Sequence, residues 1–325
     1  MRILAWNCRR LASARVVRAL LDVQKLVKPD VAFLSESHLG RVKAEKLRRR
    51  VGFDHLLIHE SDGRSGGLLM MWKKEVNFQV NDISKYFIDV LVHGETVWRL
   101  TGIYGEPSWE HKEATWEVLR TLHGIMTMPW LVLGDFNEIL YNHEKDGGRP
   151  RTQRQLQAFH DALSACQLSD LGFEGDKFTW QRGKIHERLD RGVVNVQWRQ
   201  LFPNASLTNS EMTKSDHRPI VVETEEVMTT QERGNTRRFE ARWLKEGTMQ
   251  QIVANAWARA AMHGVGPTFM QKTNEVHAAL HTWDREELKA PARKLKKLKR
   301  ELERCRRGPM TDENLAEQKE LLLRI

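Results

Sequence analysis

The sequence predicts an α/β (α+β) domain of two stacked sheets with helices outside, followed by a small helical tail. Three observations lead there. Residues 1–228 alternate short apolar runs with amphipathic segments, and so many strand-like runs in one domain favour two sheets packed face to face. Residues 229–325 switch to helix-period patterning. Between them, residues 229–235 are polar and read as a linker. The expected boundaries are a domain over 1–226, a linker over 227–236 and a helical connector over 237–325.

Taken in order, residues 3–6 read as a strand, and Ser13 as the N-cap of a helix through Val27 with Val16, Val17, Leu20, Val23 and Val27 on one face. Pro29-Asp30 ends it, and 31–34 is a short buried strand. A surface-exposed helix is expected over 41–51, then strands over 55–58, 67–72, 76–80, 87–92 and 98–104. Ser108 is placed to cap a helix through Met126, and Pro129 precedes an apolar strand over 130–133. A helix over 152–166, short strands over 178–180 and 189–194, and a strand over 219–222 complete the set. In the tail, helices are expected over 239–257 and 268–288. Leu295, Leu298 and Leu302 then form an inward stripe between basic residues, and Thr311 can cap a last helix. The chain ends inside that amphipathic pattern, which suggests a fragment or a truncated reading frame.

Composition narrows the class. The chain has 325 residues, 40% hydrophobic and 29% charged, as a globular protein does. No apolar run can span a bilayer, and residues 1–8 lack the apolar stretch of a signal peptide, so a nuclear or cytoplasmic, non-secreted protein is expected. Cys8, Cys166 and Cys305 are odd in number and far apart, giving neither a disulfide framework nor zinc spacing. The net charge of +9 is uneven: residues 229–325 carry 20 Lys+Arg against 13 Asp+Glu, and residues 1–228 carry 32 against 30. The basic run 293–307 reads first as a solvated helix face, with nucleic-acid contact and nuclear targeting as the alternatives.

Six short motifs then fall in one order: Trp6-Asn7, Ser35-Glu36, Gly102-Ile103-Tyr104, Gly134-Asp135-Phe136-Asn137, Arg188-Leu189-Asp190-Arg191 and Ser215-Asp216-His217. Each stands where a strand runs out into a loop, where a rigid scaffold displays side chains. Asp135 and Asn137 are two apart, so an extended backbone would send both to one side to hold a water. His217, backed by Asp190, is suited to hydrogen-bonding a phosphate. Glu36, beside no obvious basic partner, suits Mg²⁺, which takes few protein carboxylates. Asn7 can orient Glu36 or the phosphate, and Tyr104 can touch the phosphate. Together they are the equipment for metal-assisted hydrolysis of a phosphate ester. Taken singly, each has a blander reading as a turn, a solvated acid or a core-edge residue.

The ordered set resembles the endonuclease/exonuclease/phosphatase superfamily, which includes DNase I and the apurinic/apyrimidinic endonucleases. Trp6-Asn7-Cys8-Arg9, Ser65-Gly66-Gly67-Leu68, Gly102 through Pro107, Phe178-Thr179-Trp180 and Glu187 through Arg191 look closest to the endonuclease domain of plant LINE-type non-LTR retrotransposons. Residues 238–244 look like the connector that precedes a reverse transcriptase in such elements. The resemblance implies a DNase I-like four-layer αββα sandwich and Mg²⁺- or Mn²⁺-dependent phosphodiester cleavage, nicking DNA to leave a 3′-hydroxyl for priming. It implies catalytic roles for Asp135, Asn137, Asp190, His217 and Tyr104, and a metal site of Glu36, Asn7 and Asp216. Asn7, Tyr104 and Asn137 would also contact substrate. The implied partners are DNA and a downstream reverse transcriptase.

Two departures stand out. Arg9 occupies a position where some repair members carry an acid, and Arg10 one where plant LINE domains usually have Gly. LINE-like relatives tolerate the first; Arg10, with the abrupt end of the sequence, keeps open a decayed or co-opted copy that binds nucleic acid or protein. An inositol or lipid phosphatase is the other enzymatic alternative. Target preference, DNA against RNA and oligomeric state are not legible in the sequence.

Overall fold

A computed structural model describes residues 1–9, 11, 13–61, 66–212, 215–224, 243–244, 246–261, 269–288, 290–308 and 311–325. The expectations for Arg10, Ser65, the linker and residues 237–242 fall outside these. The chain divides into two compact units, Met1–Val227 and Met228–Ile325.

The first unit begins β1 (Arg2–Asn7), α1 (Ala14–Val27), β2 (Val31–Ser35), α2 (Arg41–Val51), β3 (His55–His59), β4 (Leu68–Trp72), β5 (Asn77–Ile83), β6 (Phe87–His93) and β7 (Trp98–Tyr104). It continues α3 (Glu113–Ile125), β8 (Trp130–Asp135), β9 (Lys145–Asp146), α4 (Gln153–Ala165), β10 (Ser169–Asp170) and β11 (Glu174–Gly175). Last come β12 (Trp180–Arg182), β13 (Ile185–Glu187), β14 (Asp190–Val194), α5 (Val196–Leu201), β15 (Ser206–Asn209) and β16 (Ile220–Glu223).

The strands form a seven-stranded sheet in the order β11-β15-β16-β1-β2-β4-β3 and a six-stranded sheet in the order β10-β14-β8-β7-β6-β5, with a small sheet β12-β13-β9. The side-chain period of two explains the layers. Ile3, Ala5, Val31, Phe33, Leu68 and Met70 of the first sheet face Ile88, Val90, Leu100, Leu131 and Leu133 of the second. The alternate residues Leu4, Trp6, Ala32, Leu34, Leu69 and Met71 face outward, against Val16, Leu20 and Val23 of α1 and Ala44 and Leu47 of α2. On the far side, Trp130 and Val132 meet Trp116 and Leu119 of α3 and Phe159 and Leu163 of α4. Strands buried on both faces read as near-continuous apolar runs, so these strands show no clean alternation of apolar and polar residues. The result is the four-layer αββα sandwich.

Several expectations change. Ser108 makes no side-chain cap: a 3-10 turn (Trp109–His111) intervenes and α3 starts at Glu113. Buried Lys112 causes the offset by donating to the carbonyls of Glu106 and Asn137. The strand expected at 178–180 lies instead at β12, pairing antiparallel with β13. Helix α2 is exposed on one face only, since Ala44, Leu47 and Val51 are buried. Thr152 does cap α4, in a capping box with Gln155. The very short strands β9, β10 and β11, and β15, α5 and β13, carry too little apolar pattern to have been read.

The second unit holds α6 (Met249–Ala261), α7 (Phe269–Trp283), α8 (Ala290–Arg307) and α9 (Asp312–Arg324). A π-helical stretch, Asp284–Leu288, follows α7 and buries Asp284. Thr311 caps α9 by accepting from the Asn314 N–H. The inward stripe of α8 is Leu298, Leu302 and Cys305 against Leu321; Leu295, on the same face but nearer the start of the helix, is exposed. All three cysteines are free thiols. No described helix is long and apolar enough to cross a membrane.

Candidate active site

The site gathers at one end of the two sheets because the motif residues occupy strand termini. β1 and β2 are parallel with Asn7 opposite Ser35, so Glu36 emerges beside Asn7. In the other sheet Asp135 of β8 lies between Tyr104 of β7 and Asp190 of β14, each its direct register partner. Close approach of β7 and β8 needs Gly134 and Gly105: a Cβ on the first would collide with the Ile103 carbonyl, on the second with the Phe136 carbonyl. His217 precedes β16 and is fixed by its neighbours. Its N–H donates to Ser215 Oγ at 3.2 Å and its carbonyl accepts from Trp6 Nε1 at 3.0 Å. Ser215 Oγ in turn donates to the Asn7 carbonyl at 2.8 Å.

A chain of contacts crosses the site. Asn7 Nδ2 donates to Glu36 Oε1 and to Asp135 Oδ2, both at 2.9 Å. Tyr104 donates its hydroxyl to Glu36 Oε1 at 2.9 Å. Asp135 Oδ2 is 3.7 Å from His217 Nε2, and His217 Nδ1 is 2.9 Å from Asp190 Oδ2. Thr179 Oγ1 accepts the N–H groups of Leu189 and Asp190 at 3.0 and 2.9 Å, which fixes the start of β14. The structure thus brings Asn7, Glu36, Tyr104, Asp135, Asp190 and His217 into one contiguous set. Asp216 joins it at the edge, where its Oδ2 accepts from Trp180 Nε1 at 2.9 Å and meets Arg9 Nη1 at 2.7 Å.

Two expectations about local geometry are corrected. Asn137 is not extended: its φ of 52° is left-handed, so its backbone N–H turns back to Asp135 Oδ1 at 2.8 Å and its Nδ2 donates to the Gly105 carbonyl at 2.8 Å. Glu36, also left-handed at φ 51°, does have a basic neighbour, since Arg9 Nε lies 3.8 Å from its Oε2. Non-glycine residues at positive φ carry strain and cluster at functional sites.

Burial sets the proton affinities. It raises the Asp135 carboxyl above the usual range, and Asp190 adds to this while His217 and the Asn7 hydrogen bond oppose it. Burial alone would lower His217, but the charges of Asp190 and Asp135 outweigh it and raise the imidazole to about 9. Burial, then Glu36 and Asp135, push the Tyr104 phenol up, so it stays a donor. Lys112 is lowered to about 8 by burial, against the pull of Glu138 and Asp135.

Among the described residues of the site, two sets of side chains offer atoms to an ion. Asp135, Asp190 and His217 offer three atoms within 4.8 Å of one another. There Nδ1 is engaged by Asp190 and both acids favour imidazolium, a form with no lone pair for an ion. Glu36 and Asp216 instead offer hard carboxylate oxygens at the less buried edge, which suits Mg²⁺ or Mn²⁺. Asn7 turns its amide nitrogen to the acids, while its oxygen accepts the Arg9 N–H at 3.2 Å.

Sequence reasoning missed four contributors: Thr179, Trp180, Lys112 and the bridging position of Arg9. The first two lay inside a quoted motif. The paired arginines around Leu189-Asp190 also acquire a role. Arg188 and Arg191 each bond both Glu144 and Asp170 at 2.8–2.9 Å, clamping β14 from behind.

A model of the "Endonuclease/Exonuclease/phosphatase family" matches residues 4–217. Among solved structures, the chain is similar to the endonuclease domain of TRAS1, a telomere-specific non-LTR retrotransposon. The identity is 17%, over 68% of this chain and 96% of that one, with a TM-score of 0.53. It is also similar to the 3′ phosphatase NExo from Neisseria bound to a product DNA hairpin (19%, 69% and 99%, TM-score 0.55). An AP endonuclease from Archaeoglobus fulgidus is a further likeness (15%, 69% and 98%, TM-score 0.55). At such identities these likenesses establish a shared fold. No curated protein matches the chain.

Proposed function

The chain belongs to the endonuclease/exonuclease/phosphatase family, and on that premise we propose that it is a metal-dependent DNA endonuclease of a LINE-type retroelement, nicking one strand of its target. One observation carries the reading: residues at the ends of β1, β2, β7, β8 and β14 and in the turn before β16 meet in one set, joined by hydrogen bonds and by the 3.7 Å approach of His217 Nε2 to Asp135 Oδ2. The likeness to the TRAS1 endonuclease domain supports the retroelement assignment, and the DNA-bound neighbour supports a nucleic-acid substrate.

Glu36, with Asp216, would hold Mg²⁺ or Mn²⁺, which supplies Lewis-acid charge on the phosphate oxygens. Asn7 acts as the positioning residue for Glu36 and Asp135 and, with Tyr104 and Asn137, reaches the phosphate. Asp135 is the base toward the attacking water; its raised proton affinity makes it a stronger acceptor while it remains ionised near neutral pH. His217, kept as imidazolium by Asp190, donates to the phosphate oxygen as negative charge builds there. Tyr104 remains protonated and donates to the same group. The expected boundaries, an endonuclease domain over 1–226 and a helical connector over 237–325 leading to a reverse transcriptase, belong to this proposal, as does a nuclear or cytoplasmic setting.

The test is nicking of supercoiled plasmid with Mg²⁺ by the wild type, Asp135→Ala and His217→Ala. Loss of nicking in both variants is expected; equal nicking by all three proteins refutes the proposal. A second reading, a non-cutting copy that binds nucleic acid, is favoured by the Arg9–Asp216 ion pair at the ion's carboxylates. Salt-sensitive DNA binding without cleavage by the wild type would select it.

A further inference from the structure

Arg9 follows β1 with a φ of 35°, and this left-handed turn folds its side chain back over the site instead of out along the strand. Its Nη1 reaches Asp216 Oδ2 at 2.7 Å and its Nε lies 3.8 Å from Glu36 Oε2. The other oxygen of Glu36 is engaged by Asn7 and Tyr104. The guanidinium therefore faces the one Glu36 oxygen those donors leave open and spans to the second acid. The Arg9 side chain is 44% exposed, against 19% for Glu36 and 18% for Asp216, so the cation enters from the solvent side.

We propose that Arg9 is a resident counter-cation which spans Glu36 and Asp216 and competes with a divalent ion for their carboxylates. This rests on the ion assignment made above and adds to it what sets the ion concentration at which the site fills. The guanidinium is planar, always charged and able to bond two acceptors at once, so it neutralises the two acids in place of an ion. A doubly charged ion at the same oxygens repels it, and its exposed position gives it a free path away.

The experiment is titration of Mn²⁺ into the full chain, without nucleic acid, read as free Mn²⁺ by electron paramagnetic resonance. Wild type, Arg9→Gln, Arg9→Lys and Glu36→Gln are compared, with folding checked by circular dichroism. Arg9→Gln should bind about tenfold more tightly or better, since one positive charge within a few ångströms is removed from a partly solvated site. Arg9→Lys keeps the charge but loses the fork and should tighten binding about threefold. If Arg9→Gln fails to fold, the lysine variant carries the test. Binding by a folded Arg9 variant that is unchanged or weaker overturns the proposal, provided Glu36→Gln abolishes binding. If Glu36→Gln binds as the wild type does, the ion assignment itself fails, and the role of Arg9 fails with it.

Discussion

The two halves of the site differ in their exposure to water. Around His217 the side chains of Asp135, Asp190 and His217 are 0–3% exposed, whereas Glu36 and Asp216 are 18–19% exposed and Arg9 is 44% exposed. The dry half fixes proton affinities, because low dielectric magnifies each neighbouring charge. The wet half leaves two carboxylates where a cation from solvent can come and go. Chemistry on a phosphate needs both: a rigid proton arrangement and an exchangeable counter-ion.

The sharpest way to break this contrast is Asp190→Asn. It leaves the shape of the dry half but removes the charge that holds His217 as imidazolium. Turnover in the nicking assay should fall about 10³–10⁴-fold, as when the orienting acid of a catalytic histidine is neutralised. A loss below about tenfold would mean that Asp190 only packs. Next in size is Arg191→Met, behind the dry half. Arg191 is fully buried and bonds Glu144 and Asp170. Removing it should cost about 3–5 kcal/mol in urea unfolding, with little change in turnover of the folded fraction. A large turnover loss without destabilisation would make it part of the chemistry instead.

How much of this was legible from residues alone follows the same line. Asn7, Glu36, Tyr104, Asp135, Asp190 and His217 stood out because apolar strands end there in polar pairs, and strand ends converge in a two-sheet fold. Helices with a one-faced stripe, such as α1, were readable for the same local reason. In the sequence Arg9 stands out only as a missing acid, since its reach to Asp216 depends on one left-handed turn and on a residue far along the chain. Trp180 depends on the β12–β13 hairpin, whose short strands carry no period. Lys112 is buried by contacts to two carbonyls, and no sequence pattern encodes that. Asn137 misled because Asp-x-Asn spacing implies one face only if the backbone stays extended.

The pH dependence sharpens the contrast further. His217 is raised to about 9, so the imidazolium form persists as pH rises past the unfolded value of about 6.5. Its stabilising contribution is complete below that value and lost as pH climbs through about 9. Nicking should fall over the same upper range, and this limb should move to lower pH in Asp190→Asn; a limb that stays in place assigns it to another group. The smallest expected effect is Thr179→Val. It deprives the N–H groups of Leu189 and Asp190 of their acceptor, costing about 1–3 kcal/mol of stability. Differential scanning calorimetry checks this, and an unchanged melting point would show that β14 needs no such anchor.

Crystals of the full chain soaked in Mn²⁺, with anomalous scattering recorded, test most directly that these carboxylates and the imidazole form one centre with a divided labour. The expected result is a peak about 2.0–2.2 Å from a Glu36 oxygen, with Asp216 beside it and Arg9 displaced. A peak enclosed by Asp135, Asp190 and His217, or no peak at saturating Mn²⁺, would contradict it.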